Sequence, residues 1–200
     1  ALQLEQPPQS ACFFERQAAL ERCLDLLKKQ QSMAVIGANG IGKSLFAAPP
    51  TRLQSQPVFW YTLRPGLNDR LESFVFALGL FAHQQGASSL WMELVASSGK
   101  LLRESSKMLA LLRHTFQEMR NCPLICIDAI EQLNPGKDAA HQNLISLLEE
   151  LKRLSTLIVI GEQAIMEVDH YESLGGLSLA GIQQWSSQAA LNLSPRQELE

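Results

Sequence analysis

The segment Gly37–Ser44 has the residue types and spacing of a phosphate-binding loop. It reads Gly-Ala-Asn-Gly-Ile-Gly-Lys-Ser and fits the pattern G-x-x-x-x-G-K-S/T without a mismatch. Glycines let the backbone turn tightly, so that successive N–H groups point at one anion. Lys43 would reach the β- and γ-phosphates of a nucleotide, and the Ser44 hydroxyl would bind Mg²⁺. The alternative is a glycine-rich turn without a ligand. The predicted ligand-contacting residues are Gly37, Ala38, Asn39, Gly40, Ile41, Gly42, Lys43, Ser44 and Leu45.

Asp128 and Glu131 are the candidate carboxylates for a magnesium ion and an attacking water. Asp128 follows the apolar run Leu124–Ile127, and ligands of open parallel sheets bind where strands end. We expect this strand to lie next to the one that precedes the phosphate loop, with the carboxylate beside Mg²⁺. Glu131 is expected to polarise a water that attacks the γ-phosphate. The alternatives are a capping or turn aspartate and a surface glutamate at a helix start.

Short apolar runs alternate with longer helix-forming segments. The runs have the length and composition of strands buried on both faces, and they lie at 33–36, 58–62, 124–127 and 157–160. Helices are predicted over 15–30, 68–84, 100–120, 139–153 and 179–190, with Ser178 as the N-cap of the last. Strands that alternate with helices predict an α/β fold with a parallel sheet.

A further helix is expected to begin at Lys43. Pro49 and Pro50 stand where it would continue, and a proline inside a helix removes a backbone donor and costs about 3 kcal/mol. This helix is therefore expected to end after about two turns or to kink. Residues 174–177 read Leu-Gly-Gly-Leu, which predicts a turn or a short strand.

Composition excludes several classes of function. The 200 residues are 46% apolar and 18% charged, which suffices for a core, and the net charge is −3. Without a broad basic surface, binding of nucleic acid through this domain is not expected. No apolar run has the length of a membrane helix. Four cysteines without zinc spacing are expected to be reduced thiols in a cytoplasmic protein, and the four histidines to have structural roles.

Four motifs in this order resemble those of the signal-transduction ATPases with numerous domains, the STAND branch of the P-loop proteins related to AAA+. Phe14-Glu-Arg16, followed by Leu20, is similar to the family's entry motif F-x-G-R-x-x-E-L. The loop GANGIGKS is close to the family's G-x-G-G-I-G-K-S/T. Ile127-Asp-Ala-Ile-Glu131 is similar to its acidic strand end, and Leu174-Gly-Gly-Leu-Ser178 to its L-x-G-L-S turn. The motifs cover nearly the whole chain.

The resemblance implies a three-layer P-loop NTPase fold, with a parallel sheet of about five strands and helices on both faces. It implies that ATP or ADP binds with Mg²⁺, and it places Arg16 near the adenine end of the nucleotide. It also implies slow ATP hydrolysis or ATP/ADP exchange, used as a conformational switch towards other domains or proteins of a signalling assembly. Residues 1–12 are interpreted as a leader, 13–195 as the nucleotide-binding domain and 196–200 as a tail.

Departures from the family pattern bear on the expected activity. Glu15 stands where the family has glycine, and residues 161–163 read Gly-Glu-Gln where the family has an arginine that senses the γ-phosphate. A glutamate there repels developing negative charge, which argues against fast hydrolysis. The family's helical lid and winged-helix segments do not occur before Glu200, and without a lid the nucleotide affinity is expected to fall. A nucleotide-occupied interaction module with little or no hydrolysis is the alternative function, and a remnant with an empty site is a third.

Overall fold

A computed structural model describes residues 4–8, 16–52, 55–99, 105–136 and 138–188. In this part of the chain, five strands form one sheet: Met33–Ile36 (β1), Val58–Thr62 (β2), Leu124–Asp128 (β3), Thr156–Gly161 (β4) and His170–Ser173 (β5). Their order is β2-β3-β4-β1-β5, and every neighbouring pair is parallel. The predicted α/β fold with a parallel sheet is confirmed.

The sequence does not predict β5, because this strand is mostly polar. It reads His-Tyr-Glu-Ser and lies at the edge of the sheet beside β1. Glu172 is its one buried residue. An edge strand is not covered like a central strand and needs no continuous apolar run. Residues 174–177 are irregular backbone, so the short-strand interpretation of this stretch is wrong.

Helices connect β1 to β2, β2 to β3 and β3 to β4. Their bounds are Gln17–Lys28 (α1), Lys43–Arg52 (α2), Leu71–Gln84 (α3), Ser89–Ala96 (α4), Ser105–Glu118 (α5), Ala139–Leu151 (α6) and Leu179–Gln188 (α7). Within the described residues, α1, α3, α5, α6 and α7 confirm the five predicted helices. The sequence did not predict α4, which is too short to show a clear helical period. The Ser178 hydroxyl accepts from the Gly181 N–H at 3.2 Å, as expected of an N-cap. None of these described helices combines the length and apolar character needed to span a bilayer.

Two apolar cores cover opposite faces of the sheet. Successive side chains of a strand point to opposite faces, so Ile125 and Ile127 enter the core formed with α3, α4, α5 and α6. Leu124 and Cys126 enter the second core, formed with α1 and α2. Helices therefore lie on both faces, and the three-layer architecture is confirmed.

The helix after the phosphate loop continues through both prolines, so the expected end after about two turns is wrong, and the alternative, a kink, stays a prediction. α2 spans Lys43–Arg52 with Pro49 and Pro50 inside it. Its buried face lies in the second core and consists of Phe46, Ala47, Ala48, Pro50 and Thr51. Packing of this face against the sheet outweighs the unfavourable local preference of the prolines.

The described part of the predicted leader, residues 4–8, lies along β2 and the end of α2. The Glu5 carboxylate accepts from the Thr62 N–H at 2.8 Å and pairs with Arg64. The Arg52 guanidinium donates to the carbonyls of Pro7 and Pro8, at 2.8 and 2.7 Å. These contacts cover the outer edge of β2.

Candidate functional site

The loop Gly37–Ser44 joins β1 to α2, and its backbone requires glycine at three places. Gly40 and Gly42 have φ of +77° and +88°, which L-residues rarely adopt. A Cβ at Gly37 would lie 2.7 Å from the Leu174 carbonyl oxygen. Residues 38–40 are exposed, so the backbone of the loop is open to a ligand.

The side chain of Lys43 contacts the first residues of the phosphate loop. Its Nζ donates to the carbonyl oxygens of Gly37 and Ala38, at 3.0 and 2.9 Å. An ammonium group carries three donors and can exchange carbonyl oxygens for phosphate oxygens. Because Lys43 is also the first residue of α2, the partial positive charge of the helix start lies at the same place. Both features favour an anion at this loop.

Ser44 and Asp128, the two predicted magnesium ligands, are in direct contact. The Ser44 hydroxyl donates to Asp128 Oδ1 at 3.0 Å. Strand β1, which precedes the loop, is nevertheless not a neighbour of β3, which ends in Asp128, because β4 lies between them. The expectation that Asp128 ends the strand adjacent to β1 is therefore wrong. The contact forms because Ser44 belongs to α2, which packs against β4 and reaches towards the end of β3.

The Asp128 carboxyl lies in an environment that suits a bound cation. Burial raises its pKa above the ordinary value, and the negative charge of Glu131 adds to this effect. The Ser44 hydroxyl, the Ala129 N–H at 2.9 Å and the Lys43 charge oppose it. A divalent cation would offset the cost of ionising the Asp128 carboxyl, so the oxygens of Asp128 and Ser44 are suitable ligands for Mg²⁺. The described residues contain no group of three or more His, Cys, Asp or Glu side chains that could hold a metal, so phosphate oxygens and water would complete its coordination.

Glu131 is held at the end of β4. It lies in a single 3₁₀ turn, Ile130–Gln132, and not at the start of an α-helix. Its Oε2 accepts from the Glu162 N–H at 3.2 Å. Ala129 precedes the turn with φ of +60°, a left-handed conformation that is costly for alanine. The carboxylate therefore has a defined position near Asp128, whose pKa it raises.

Arg16 contacts the phosphate loop. Its Nη2 donates to the carbonyl oxygens of Ile41 and Gly175, both at 3.0 Å. Burial lowers the pKa of the guanidinium, although arginine stays charged. The side chain thus joins the loop to the segment after β5. Its expected contact with adenine stays a prediction, and Phe14 and Glu15 of the same motif lie outside the described residues.

The structure gives Gly161 and Leu174 roles at the site that the sequence did not assign to them. Gly161 lies at the end of β4, and a Cβ there would come within 2.6 Å of Ile130 Cγ2 and 2.7 Å of Glu131 Oε2. The Leu174 carbonyl packs against Gly37, and the Leu174 N–H donates to the Ile36 carbonyl at 2.8 Å. The sequence offers one signal for Gly161, because this glycine directly follows the apolar run 157–160.

Comparison with known proteins supports this description. A family model described as novel STAND NTPase 1 matches residues 2–198. Among solved structures, the Aeropyrum pernix ORC1 protein, determined in complex with DNA, has a TM-score of 0.61 at 14% identity over 90% of this chain and 50% of that chain. The chain thus spans half the length of that structure, and at this identity the likeness shows the fold alone. A putative ABC transporter ATP-binding protein from Pyrococcus furiosus gives a TM-score of only 0.38 at 16% identity, over 73% of this chain and 85% of that one. No curated protein matches the chain.

Proposed function

This chain belongs to the novel STAND NTPase 1 family, and we propose that it binds ATP with Mg²⁺, hydrolyses it slowly and uses it as a regulatory switch. The family match confirms the resemblance inferred from the sequence motifs, and with the fold it identifies a nucleotide-binding NTPase domain. The observation that carries the proposal is the 3.0 Å hydrogen bond between Ser44 and Asp128. In P-loop NTPases a loop Ser or Thr and an Asp at a strand end hold the Mg²⁺.

Each residue has a proposed role. Backbone N–H groups of residues 37–45 surround the phosphates, and Lys43 exchanges its two loop carbonyls for phosphate oxygens. Bound Mg²⁺ neutralises phosphate charge. Ser44 and Asp128 hold it, directly or through water. Arg16 holds the loop against the segment after β5. Its further proposed role is to face the nucleotide at its adenine end.

Slow hydrolysis is supported by what surrounds Glu131. This carboxylate is the proposed group that orients the attacking water. The Glu162 N–H occupies one of its oxygens, and Glu162 stands where the family has a cationic sensor of the γ-phosphate. These two features also favour a second candidate function, a nucleotide-occupied interaction module with little or no turnover.

The proposed switch acts on other domains or proteins of a signalling assembly. We assign residues 13–195 to the nucleotide-binding domain, between a leader at 1–12 and a tail at 196–200. Free thiols at Cys23, Cys122 and Cys126 support a reducing compartment such as the cytoplasm. Nucleic acid is not proposed as a partner, given a net charge of −3.

Calorimetry with Mg·ATP and Mg·ADP, followed by single-turnover hydrolysis, tests the proposal. Lys43→Ala removes the cation that contacts the phosphates, so we expect nucleotide affinity to fall at least about tenfold. Lys29→Ala, an exposed lysine at the end of α1, is the control and is expected to bind normally. Unchanged binding by the Lys43 variant would overturn the assignment of the site.

Glu131→Gln separates the two candidate functions. If Glu131 orients the water, the single-turnover rate falls by roughly a hundredfold while binding is retained. If wild-type protein binds ATP without measurable turnover and the variant behaves identically, the interaction module is the correct function. Lack of binding to either nucleotide contradicts both.

A further inference from the structure

A chain of buried polar contacts lies behind the loop that carries Glu131. Asp69, between β2 and α3, is 4% exposed, and His141, near the start of α6, is 9% exposed. His141 Nε2 lies 3.3 Å from Asp69 Oδ2, and His141 Nδ1 accepts from the Asn134 N–H at 3.0 Å. Asn134 stands two residues after the 3₁₀ turn that contains Glu131. One imidazole therefore joins three segments of the chain.

The hydrogen bonds define the tautomer of this imidazole. A backbone N–H can only donate, so Nδ1 of His141 is the unprotonated nitrogen. The proton of the neutral ring is then on Nε2, where it faces Asp69. Asp69 Oδ2 also accepts from the Gly66 N–H at 2.8 Å, and these donors hold the pKa of the carboxyl below its usual value. Asp69 is therefore an ionised acceptor that orients the ring.

The hydrogen bonds to Asp69 outweigh the cost of burying its charge, because the pKa of its carboxyl is lowered, but they satisfy only one of its two oxygens. Its Oδ1 is fully buried and has no hydrogen-bond partner among the described residues. The Arg70 Nε lies 3.8 Å away, which is an ion-pair contact without a hydrogen bond. A buried carboxylate with an unsatisfied oxygen is unfavourable by itself. The oxygen that is satisfied, Oδ2, is the one that faces His141.

The turn that holds Glu131 is anchored at both ends. At its start, Ile130 and the Glu131 carboxylate pack against Gly161 and the Glu162 N–H at the end of β4. At its far end, the Asn134 N–H bond to His141 supplies the anchor. Loss of that bond leaves the buried Leu133 side chain as the remaining anchor at this end, and the backbone beyond it is then less restrained.

We propose that His141, oriented by Asp69, is a positioning residue for Glu131. The neutral ring accepts from Asn134 and so keeps the Glu131 carboxylate where it orients water. This inference rests on the proposed function, in which Glu131 acts on the attacking water. His141 itself does not touch the nucleotide, and its contribution is to hold the 3₁₀ turn.

Protonation reverses this role. An imidazolium Nδ1–H would face the Asn134 N–H, so that two donors oppose each other. The charged groups around the ring are Asp69 and Arg70 from the segment before α3, and Asp138, whose Oδ2 lies 4.0 Å from Nε2 and 3.2 Å from Arg70 Nη2. Burial raises the pKa of Tyr61 on β2, and the charges of Glu5 and Asp69 add to this effect. The Asn134 hydrogen bond is therefore compatible with the neutral ring and not with the protonated ring.

Three variants separate positioning from simple stability. His141→Gln keeps a polar group towards Asp69 but removes the acceptor for Asn134, so we expect kcat to fall roughly tenfold with an unchanged Kd for Mg·ATP. His141→Asn places an oxygen near the position of Nδ1, so the acceptor for Asn134 is kept, and the asparagine side chain cannot be protonated. Its kcat is expected to stay near wild type and not to show the loss that ring protonation causes in the wild type. His114→Asn, on the exposed face of α5, is the matched control and is expected to keep the wild-type pH profile.

A second readout does not depend on turnover. Amide hydrogen exchange at Asn134 and the ring resonances of His141 are followed by NMR across acidic to neutral pH. We expect protection of the Asn134 amide to disappear as the His141 ring titrates, and to persist in His141→Asn. Protection that does not follow the ring, or an unchanged kcat in His141→Gln, overturns the inference. Failure of the proposed function is a different result, since the protein would then bind no nucleotide while the Asn134 amide still followed the ring.

Discussion

At the scale of single residues, the position of Glu131 depends on a neighbour that carries no functional group. Gly161 ends β4, and its missing side chain makes room for Ile130 and for the Glu131 carboxylate. The adjacent Glu162 N–H then holds that carboxylate. A glutamate at a solvated helix start would have no such constraint, so Glu131 has a fixed position, and under the proposed function its role depends on that position.

Gly161→Ala tests this constraint. The added methyl group would meet Ile130 Cγ2 at 2.6 Å and Glu131 Oε2 at 2.7 Å, so the 3₁₀ turn must shift. We expect single-turnover hydrolysis to slow by on the order of a hundredfold, because a shift of about 1 Å at a reacting group has that effect. Calorimetry is expected to show nearly unchanged affinity for Mg·ATP.

Gly136→Ala is the matched control, since a Cβ there would meet only Asn134 Oδ1, at 3.9 Å. It is expected to hydrolyse ATP like the wild type. Equal losses in the two variants would show that the Gly161 contact has no particular importance for Glu131.

At the scale of elements, α2 shows tertiary packing prevailing over local preference. The helix that presents Lys43 and Ser44 contains two consecutive prolines and still extends to Arg52. Its buried face contacts the same apolar core as the strands that carry the loop and Asp128. The start of α2 is thereby fixed relative to the end of β3, which the Ser44 contact to Asp128 requires.

Pro49→Ala is expected to stabilise the protein. The half-buried Pro49 cannot donate to the Leu45 carbonyl, and its ring crowds that carbonyl. Urea denaturation should show the free energy of unfolding raised by about 1–3 kcal/mol. Pro57→Ala, in irregular backbone before β2, is the control and is expected to lose about 0.5–1 kcal/mol through the freer unfolded chain. A less stable Pro49 variant would mean that packing of the ring outweighs its effect on the helix.

At the scale of the whole molecule, the free energy of folding conflicts with the proposed function at Asp128. Burial raises the pKa of this carboxyl in the folded protein. An acid with a raised folded pKa contributes stability below its unfolded pKa and loses that contribution as pH rises through the folded value. The ionised form that would bind Mg²⁺ at neutral pH is therefore the less stable form of the domain without ligand.

Asp128→Asn is accordingly expected to be more stable than the wild type at neutral pH and to lose thermal stabilisation by Mg·ATP. The gain should vanish below the unfolded pKa of the acid, where the wild-type carboxyl is also neutral. Urea titrations at several pH values measure it, and Asp25→Asn, at an exposed site on α1, is the control without such a gain. A gain that does not depend on pH would contradict the electrostatic explanation.

Local patterns were sufficient to identify the phosphate loop, four strands and the two acids near it. A loop such as Gly37–Ser44 depends on φ angles and donors supplied by consecutive residues, and buried central strands need continuous apolar runs. The order of β1, β4 and β3 depended instead on which strands pair, with β4 between the other two. Polar β5 pairs with a strand more than a hundred residues earlier in the chain, and the contacts of Gly161 and His141 join distant segments. Such contacts arise only when the layers pack, because no neighbouring residue in the sequence supplies the other half of the interaction.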